Sequence, residues 1–313
     1  FGETFAVDAR SPEELIADAV AIARRADVVV ACVGEAREHS GESSTRTDLG
    51  LPGNQQKLLQ ALHATGKPLV IVTMSGRPLG LEWEDRHADA ILHGWFAGSE
   101  AGNGIADVLF GAVNPSGKLA MSFPRDAGQS PIYYAEPPTG RPIGGVGIDV
   151  AGDSEVDRHG KRVFRKFTTA CRLEGTHTPL YPFGYGLSYS AFDYGEISVD
   201  KAELRGDDTL LASINVCNSG NVAGEEIVQL YVGDPVASRS RPVRELKHFR
   251  KIALRPGEER RVSFAVSAAD LTYFRADRLA EPETVSEPGA FVIEIGANSQ
   301  ELSAVRIEWR DDS

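Results

Sequence analysis

Two periodicities alternate along the first hundred residues. Ser11-Pro12-Glu13-Glu14 has the form of a helix start, with Ser11 as N-cap, Pro12 in the first turn and Glu14 closing a capping box. Leu15, Ile16, Ala19, Ile22 and Ala23 then recur at helical spacing, which predicts a helix packed by one face on a sheet. Residues 28–33, Val-Val-Val-Ala-Cys-Val, form an unbroken apolar run of the kind that a buried parallel strand shows. Residues 54–64 carry Leu58, Leu59 and Leu62 and stop at Gly66 and Pro68, a second helix. Residues 69–74 and 88–95 read as further strands, and 101–110 as a helix with Ile105, Val108 and Leu109 turned inward. Such alternation implies a parallel sheet flanked by helices.

The pattern changes further on. Residues 119–123 read as a short extended piece after the Asn114-Pro115-Ser116-Gly117 turn. Residues 131–178 have little periodicity and form a long irregular excursion, where Tyr133, Tyr134, Arg141, Arg158 and Arg165 could border a sugar site or an intersubunit contact. The aromatics of 181–189 are expected to close the first domain by interdomain packing rather than by stacking on a ligand. From about Ala191, apolar runs at 210–216, 226–232, 243–254, 261–266, 290–295 and 304–309 are separated by turn residues. About seven strands at that spacing, without helices, predict an antiparallel β-sandwich. The expected division is therefore 1–190, an α/β domain, and 191–313, a sandwich.

Composition narrows the class. The 313 residues, 42% hydrophobic and 25% charged, suit two domains with cores of their own. A formal charge of −12 and a pI near 5.1 argue against nucleic acid or an anionic membrane as partner. No apolar run has membrane-spanning length, and Phe1-Gly2-Glu3-Thr4 has neither a basic nor an apolar leader region, so the beginning reads as internal or processed. Cys32, Cys171 and Cys217 have no zinc-like spacing and read as free thiols, which leaves the redox compartment open.

Chemistry concentrates in the polar stretch 34–52, GEAREHSGESSTRTDLGLP, which leaves the first strand. In an open α/β sheet, ligands gather at the carboxyl ends of strands. Glu35, Glu38, Glu42 and Asp48 lie here beside Arg37, His39 and Arg46. A charged loop is usually solvated, and composition does not single out one carboxylate. Arg46 and Asp48 read best as an ion-pair framework that fixes the loop, Glu35 as a hydrogen-bond partner of its backbone, and His39 as a solvated side chain.

The stretch Glu42-Ser43-Ser44-Thr45-Arg46-Thr47-Asp48-Leu49, followed by Leu51-Pro52, resembles the acid/base loop of glycoside hydrolase family 3, in the branch of bacterial periplasmic β-glucosidases. Ser75-Gly76-Arg77-Pro78, Trp95-Phe96-Ala97-Gly98, the run from Asn114 to Leu119, the run from Tyr181 to Tyr189, and Gln229-Leu230-Tyr231-Val232 extend the resemblance over nearly the whole chain. It implies a flavodoxin-like α/β sandwich domain lacking its first strand, then a fibronectin type III-like β-sandwich. It also implies that a (β/α)₈ barrel belongs upstream, so that the chain would cover about the last two-fifths of such an enzyme.

By this resemblance Glu42 is the general acid/base, with Glu38 as its rival, and Arg46 and Asp48 bind substrate or position the loop. The nucleophile, an Asp in a motif that this sequence does not contain, would lie on the barrel. The implied activity is retaining, exo-acting hydrolysis of β-glucosides or oligosaccharides in the periplasm or outside the cell, without cofactor or metal. A sister activity such as β-xylosidase, a homodimer, and a non-catalytic carbohydrate-binding or assembly protein stay open. A nucleotide-binding flavodoxin-like protein fits poorly, since no Gly-rich phosphate loop follows the first strand.

Overall fold

The computed structural model describes residues 8–138, 155–156, 162–163, 178–206, 208–275 and 283–311. Arg141, Arg158, Arg165 and Cys171 lie outside the described residues. Contacts divide the chain into two compact units: Phe1–Asp107 with Phe123–Ser130, and Val108–Ser122 with Pro131–Ser313.

The first unit holds a three-stranded parallel sheet in the order β1-β2-β3, with β1 at Val29–Gly34, β2 at Leu69–Met74 and β3 at Ala90–His93. Helix α1 (Pro12–Ala23) begins with the capping box read from the sequence: the Ser11 hydroxyl accepts from the Glu14 N–H, and the Glu14 carboxylate accepts from the Ser11 N–H. Helix α2 (Gln55–His63) buries Leu59 and Leu62. A short helix α3 (Glu82–His87), which hydropathy did not announce, precedes β3, and α4 (Ala101–Leu109) follows it. β2 is the central strand, with Leu69, Ile71 and Val72 fully buried.

β1 departs from expectation. Ala31 and Val33 face inward, but Val30 is 47% exposed and Cys32 is exposed as well. The strand is at the sheet edge, and its second face is open in the described residues. Helix α1 packs against α2 and buries only Ala23 fully, while Ile22 and Leu15 remain exposed, so its apolar face does not cover the sheet as periodicity suggested. The 119–123 piece bends at Ala120 and Met121 and has a single bridge residue, Phe123.

The second unit is built on a β-sandwich. One sheet runs β11-β10-β15-β16-β8, with β11 at Glu245–Leu254, β10 at Gly224–Gly233, β15 at Gly289–Gly296, β16 at Leu302–Arg310 and β8 at Glu203–Arg205. The other runs β12-β9-β6, with β12 at Glu259–Ser267, β9 at Thr209–Asn218 and β6 at Phe192–Tyr194; β7 (Ser198–Val199) also pairs with β9. All these pairs are antiparallel except β8 with β16. Two small hairpins, β13 (Tyr273–Arg275) with β14 (Glu283–Val285) and β4 (Glu155–Val156) with β5 (Arg162–Val163), complete the described strands.

Alternate residues of β9, Leu210, Ala212, Ile214 and Val216, enter the core with Leu230, Val232, Val262, Phe264, Phe291, Ile293, Ile295 and Trp309. Period-2 burial of this kind fixes the register, since a one-residue slip would turn each of these side chains out.

In β10, Leu230, Tyr231 and Val232 are all buried, so both faces of this strand are covered. Tyr134 packs edgewise on Tyr231 and is itself stacked by Phe183, and the Gln229 side chain donates to the Gly184 carbonyl at 3.1 Å. The Asn114 side chain donates to the Ala223 carbonyl at 2.9 Å and accepts from Ser188 and Tyr189. Lys118 pairs with Glu226 at 3.1 Å and donates to the Gly186 carbonyl. The Asn114-to-Leu119 and Tyr181-to-Tyr189 motifs therefore clasp each other and the sandwich.

Candidate active site

The 34–52 loop starts where β1 gives out. Gly34 has φ +133°, and a Cβ there would stand 1.9 Å from the Met74 carbonyl oxygen, so only glycine allows β1 this close to β2 at its carboxyl end. On its other side Gly34 has no strand neighbour among the described residues. The Gln55 amide fills that place, accepting from the Gly34 N–H at 2.7 Å and donating to its carbonyl at 2.8 Å.

The next residue, Glu35, has a fully buried side chain held by two guanidinium groups. Arg46 Nη1 donates to Oε1 at 2.7 Å, and Arg77 Nε lies 3.1 Å from Oε1 and 3.2 Å from Oε2. Each arginine also reaches the backbone: Arg46 Nη2 bonds the Gly50 carbonyl at 2.8 Å, and Arg77 Nη2 bonds the His39 carbonyl. One buried carboxylate thus ties both limbs of the loop to the end of β2. Two cations against one anion, with backbone acceptors for the remaining donors, is a satisfied arrangement for a buried charge.

Arg46 is part of a framework, then, but its partner is Glu35. Asp48 does not meet it; its carboxylate accepts from the Gly50 N–H at 2.8 Å and shapes the turn before Leu51. Glu35 acts on the loop backbone through the arginines rather than directly. His39 is engaged, its Nδ1 accepting from the Ala36 N–H at 3.0 Å. Glu38 lies in the 3-10 turn Arg37–His39, and its carbonyl accepts from the Ser44 hydroxyl at 3.2 Å.

Glu42 stands apart from this network. Gly41 to Ser44 is a β-turn closed by the Ser44 N–H on the Gly41 carbonyl at 3.2 Å, with Ser43 at φ +63°. A positive φ at the third position is the type II geometry, which glycine normally fills, and a serine there is strained. Glu42 occupies the second position, at the apex, and is exposed. Among the described residues its carboxylate makes neither an ion pair nor a hydrogen bond; Arg46 and Arg77 are both committed to Glu35. Glu38 and Glu42 are four residues apart and differ in role: Glu38 belongs to the tethered base of the loop, Glu42 to its projecting tip.

All three strand ends converge. Ser75 is buried and donates to the Arg77 carbonyl at 2.6 Å. At the end of β3, His93 Nδ1 lies 2.8 Å from the Thr73 hydroxyl, and its ring is packed edgewise by Trp95 and Phe123. That apolar enclosure pushes the His93 pKa down to about 4, because burial penalises imidazolium. No group of three or more His, Cys, Asp or Glu among the described residues is placed to hold a metal ion.

Sequence reasoning did not assign Arg77 or Gln55. The signal for Arg77 was its place just after the second strand, one loop away from Glu35; the signal for Gln55 was a polar side chain beside an edge strand.

Two family models match the chain: the glycosyl hydrolase family 3 C-terminal domain over residues 5–189, and a fibronectin type III-like domain over residues 226–299. A periplasmic beta-glucosidase of Salmonella typhimurium is 44% identical over 299 residues, which are 96% of this chain and 36% of that protein. A beta-xylosidase of Formosa agariphila is 40% identical over 283 residues, 90% of this chain and 35% of the relative. Among solved structures, a beta-glucosidase from Listeria innocua in complex with isofagomine superposes with a TM-score of 0.82 at 36% identity, over 96% of this chain and 39% of that one. The chain thus spans little more than a third of the length of the curated relatives it matches.

Proposed function

The chain belongs to glycosyl hydrolase family 3, as the C-terminal part of such a protein, and from that premise we propose that it supplies the general acid/base, Glu42, of a retaining, exo-acting β-glucosidase. The observation that carries this reading is the contrast within one loop: Glu35 and Asp48 are bound into the framework, while Glu42 projects unpaired from a strained turn at the strand ends.

In the retaining reaction two carboxyl groups about 5 to 5.5 Å apart flank the glycosidic bond. Glu42 protonates the departing glycosidic oxygen as the nucleophilic carboxylate attacks the anomeric carbon. It then takes a proton from the water that releases the sugar, and the configuration is retained. The nucleophile is expected on a barrel portion upstream. Arg46 and Asp48 position the loop, and neither cofactor nor metal is required. By its resemblance to the Salmonella protein, the enzyme works in the periplasm or outside the cell. The similarity to a beta-xylosidase favours β-xyloside hydrolysis as the second reading.

The test compares Glu42→Gln with Glu38→Gln in the full-length enzyme. Glu42→Gln is expected to lower kcat/KM at least ~100-fold on substrates with poor leaving groups and far less on activated aryl glycosides, since general acid catalysis contributes about 10²–10⁴. Glu38→Gln is expected to stay near wild type. The opposite ranking would move the acid to Glu38, and wild-type rates for both would return the chain to the non-catalytic carbohydrate-binding reading.

A further inference from the structure

The amino ends of β2 and β3, opposite the ends that carry the 34–52 loop, hold a second cluster of chemistry-bearing side chains. Asp89 ties these ends together: its N–H donates to the Leu69 carbonyl at 2.9 Å, and its carboxylate accepts from the Leu69 N–H at 2.8 Å. Helix α2 leads into β2 and helix α3 into β3, so His63, the last residue of α2, and His87, the last of α3, meet here. Their ring centroids are 5.1 Å apart and their planes cross at 83°.

Trp83, one turn before His87, stacks on its ring with centroids 4.4 Å apart and planes 12° from parallel. His63 lies 5.9 Å from Trp83. A ring on the far face of His87 would be much further from Trp83, so His63 stands beside the stack, off the edge of His87. The tautomer of His87 is fixed as well. Its Nδ1 lies 2.7 Å from the Trp83 carbonyl oxygen, which can only accept, so Nδ1 carries the proton and Nε2 of the neutral ring keeps a lone pair. His63 is exposed and makes no hydrogen bond among the described residues. Glu84, one turn before His87 on the same helix face, is buried, and its Oε1 has no partner among the described residues. A negative charge there is uncompensated, which a cation at the histidines would offset.

We propose that His63 and His87 bind a zinc ion that clips α2 to α3 at the end of the sheet remote from the acid/base loop. Two imidazoles bound through one nitrogen each to a tetrahedral zinc, at about 2.0–2.1 Å, have ring centres roughly 5 Å apart, and these two rings already stand at that separation. A ring held by a backbone carbonyl on one nitrogen and offering the other is the usual state of a metal-ligating histidine. Water fills the remaining positions, because no third His, Cys, Asp or Glu among the described residues joins the pair.

Calorimetric titration with ZnCl2 of the full-length enzyme, stripped beforehand with a chelator, tests this against the same enzyme carrying His63→Gln or His87→Gln. Loss of an outer partner of a metal-bound histidine costs about 10–100-fold in affinity, so loss of a ligand is expected to weaken one zinc site per chain at least tenfold in either variant. Electron paramagnetic resonance with one equivalent of Cu2+ gives a second readout that does not depend on how His87→Gln folds: the wild type is expected to show two bound imidazole nitrogens, and His63→Gln to lose that spectrum. Zinc isotherms that coincide in the wild type and His63→Gln would overturn the proposal, as would a loss confined to one of the two variants or a single nitrogen on copper in the wild type. Each of these results would leave the three rings as packing between two helices.

Discussion

At the scale of single residues, the loop divides its carboxylates by what holds them. Glu35 shares its charge between Arg46 and Arg77, each of which carries a backbone carbonyl of the loop on another donor. Replacing it leaves two guanidiniums in a pocket built for an anion, and losing one partner of a buried ion pair costs about 3 kcal/mol or more. Glu35→Gln is therefore expected to lower the melting temperature and to open the 34–52 loop to proteases, even though Glu35 touches no reacting atom. An unchanged Tm with an intact loop would show that the framework does not hold it. The sequence displayed all four carboxylates together but gave no means of ranking them, because burial was invisible. Glu35 stands one residue after the strand, where the chain is still paired, its N–H on the Met74 carbonyl at 2.7 Å. Arg46 was recognisable as a framework residue, and its partner was not, since Arg77 and Glu35 approach only when β1 and β2 lie side by side.

At the scale of elements, the three strands were legible because each is a compact apolar run, and the sandwich because its strands alternate with period 2. What escaped was coverage. Residues 28–33 read as buried on both faces, yet β1 is an edge strand with Val30 exposed, and hydropathy cannot say whether a neighbour is present to cover a face. The pairing of β2 with β3 gives a measurable consequence. Thr73 and His93 are register partners, hydrogen-bonded at 2.8 Å, and Trp95 and Phe123 pack edgewise on the imidazole. The pKa near 4 is below the ordinary 6.5, so between these values the unfolded chain binds a proton that the folded chain lacks. Stability is then complete above pH 6.5 and falls as pH drops toward 4, by roughly 2 kcal/mol between pH 7 and pH 5. Urea unfolding of the wild type and of His93→Gln at both pH values checks this. The variant is expected to be weaker at pH 7 but to lack this part of the slope, and an identical slope in the two proteins would rule out His93 as its source.

At the scale of the whole molecule, the question is what these 313 residues can do by themselves. Two carboxyl groups must act on one glycosidic bond from about 5 to 5.5 Å apart. In the described loop Glu35 is neutralised by two arginines and Asp48 is bound to the Gly50 N–H, so neither is a free nucleophile beside Glu42. The chain spans little more than a third of the length of the relatives it matches. Among the described residues Val30 of β1, the neighbouring Val28, and Leu15 and Ile22 of α1 are exposed, an apolar surface of the kind that favours association. The purified 313-residue chain is therefore expected to self-associate and to turn over no β-glucoside, whereas a protein carrying the upstream portion stays dispersed and hydrolyses it. Light scattering and an aryl-glucoside assay on the two preparations separate the cases. A monodisperse, active 33.7 kDa species would mean that the second carboxylate lies within this chain after all. A longer protein that is dispersed but inert would point instead to the carbohydrate-binding alternative, with the loop retained for recognition.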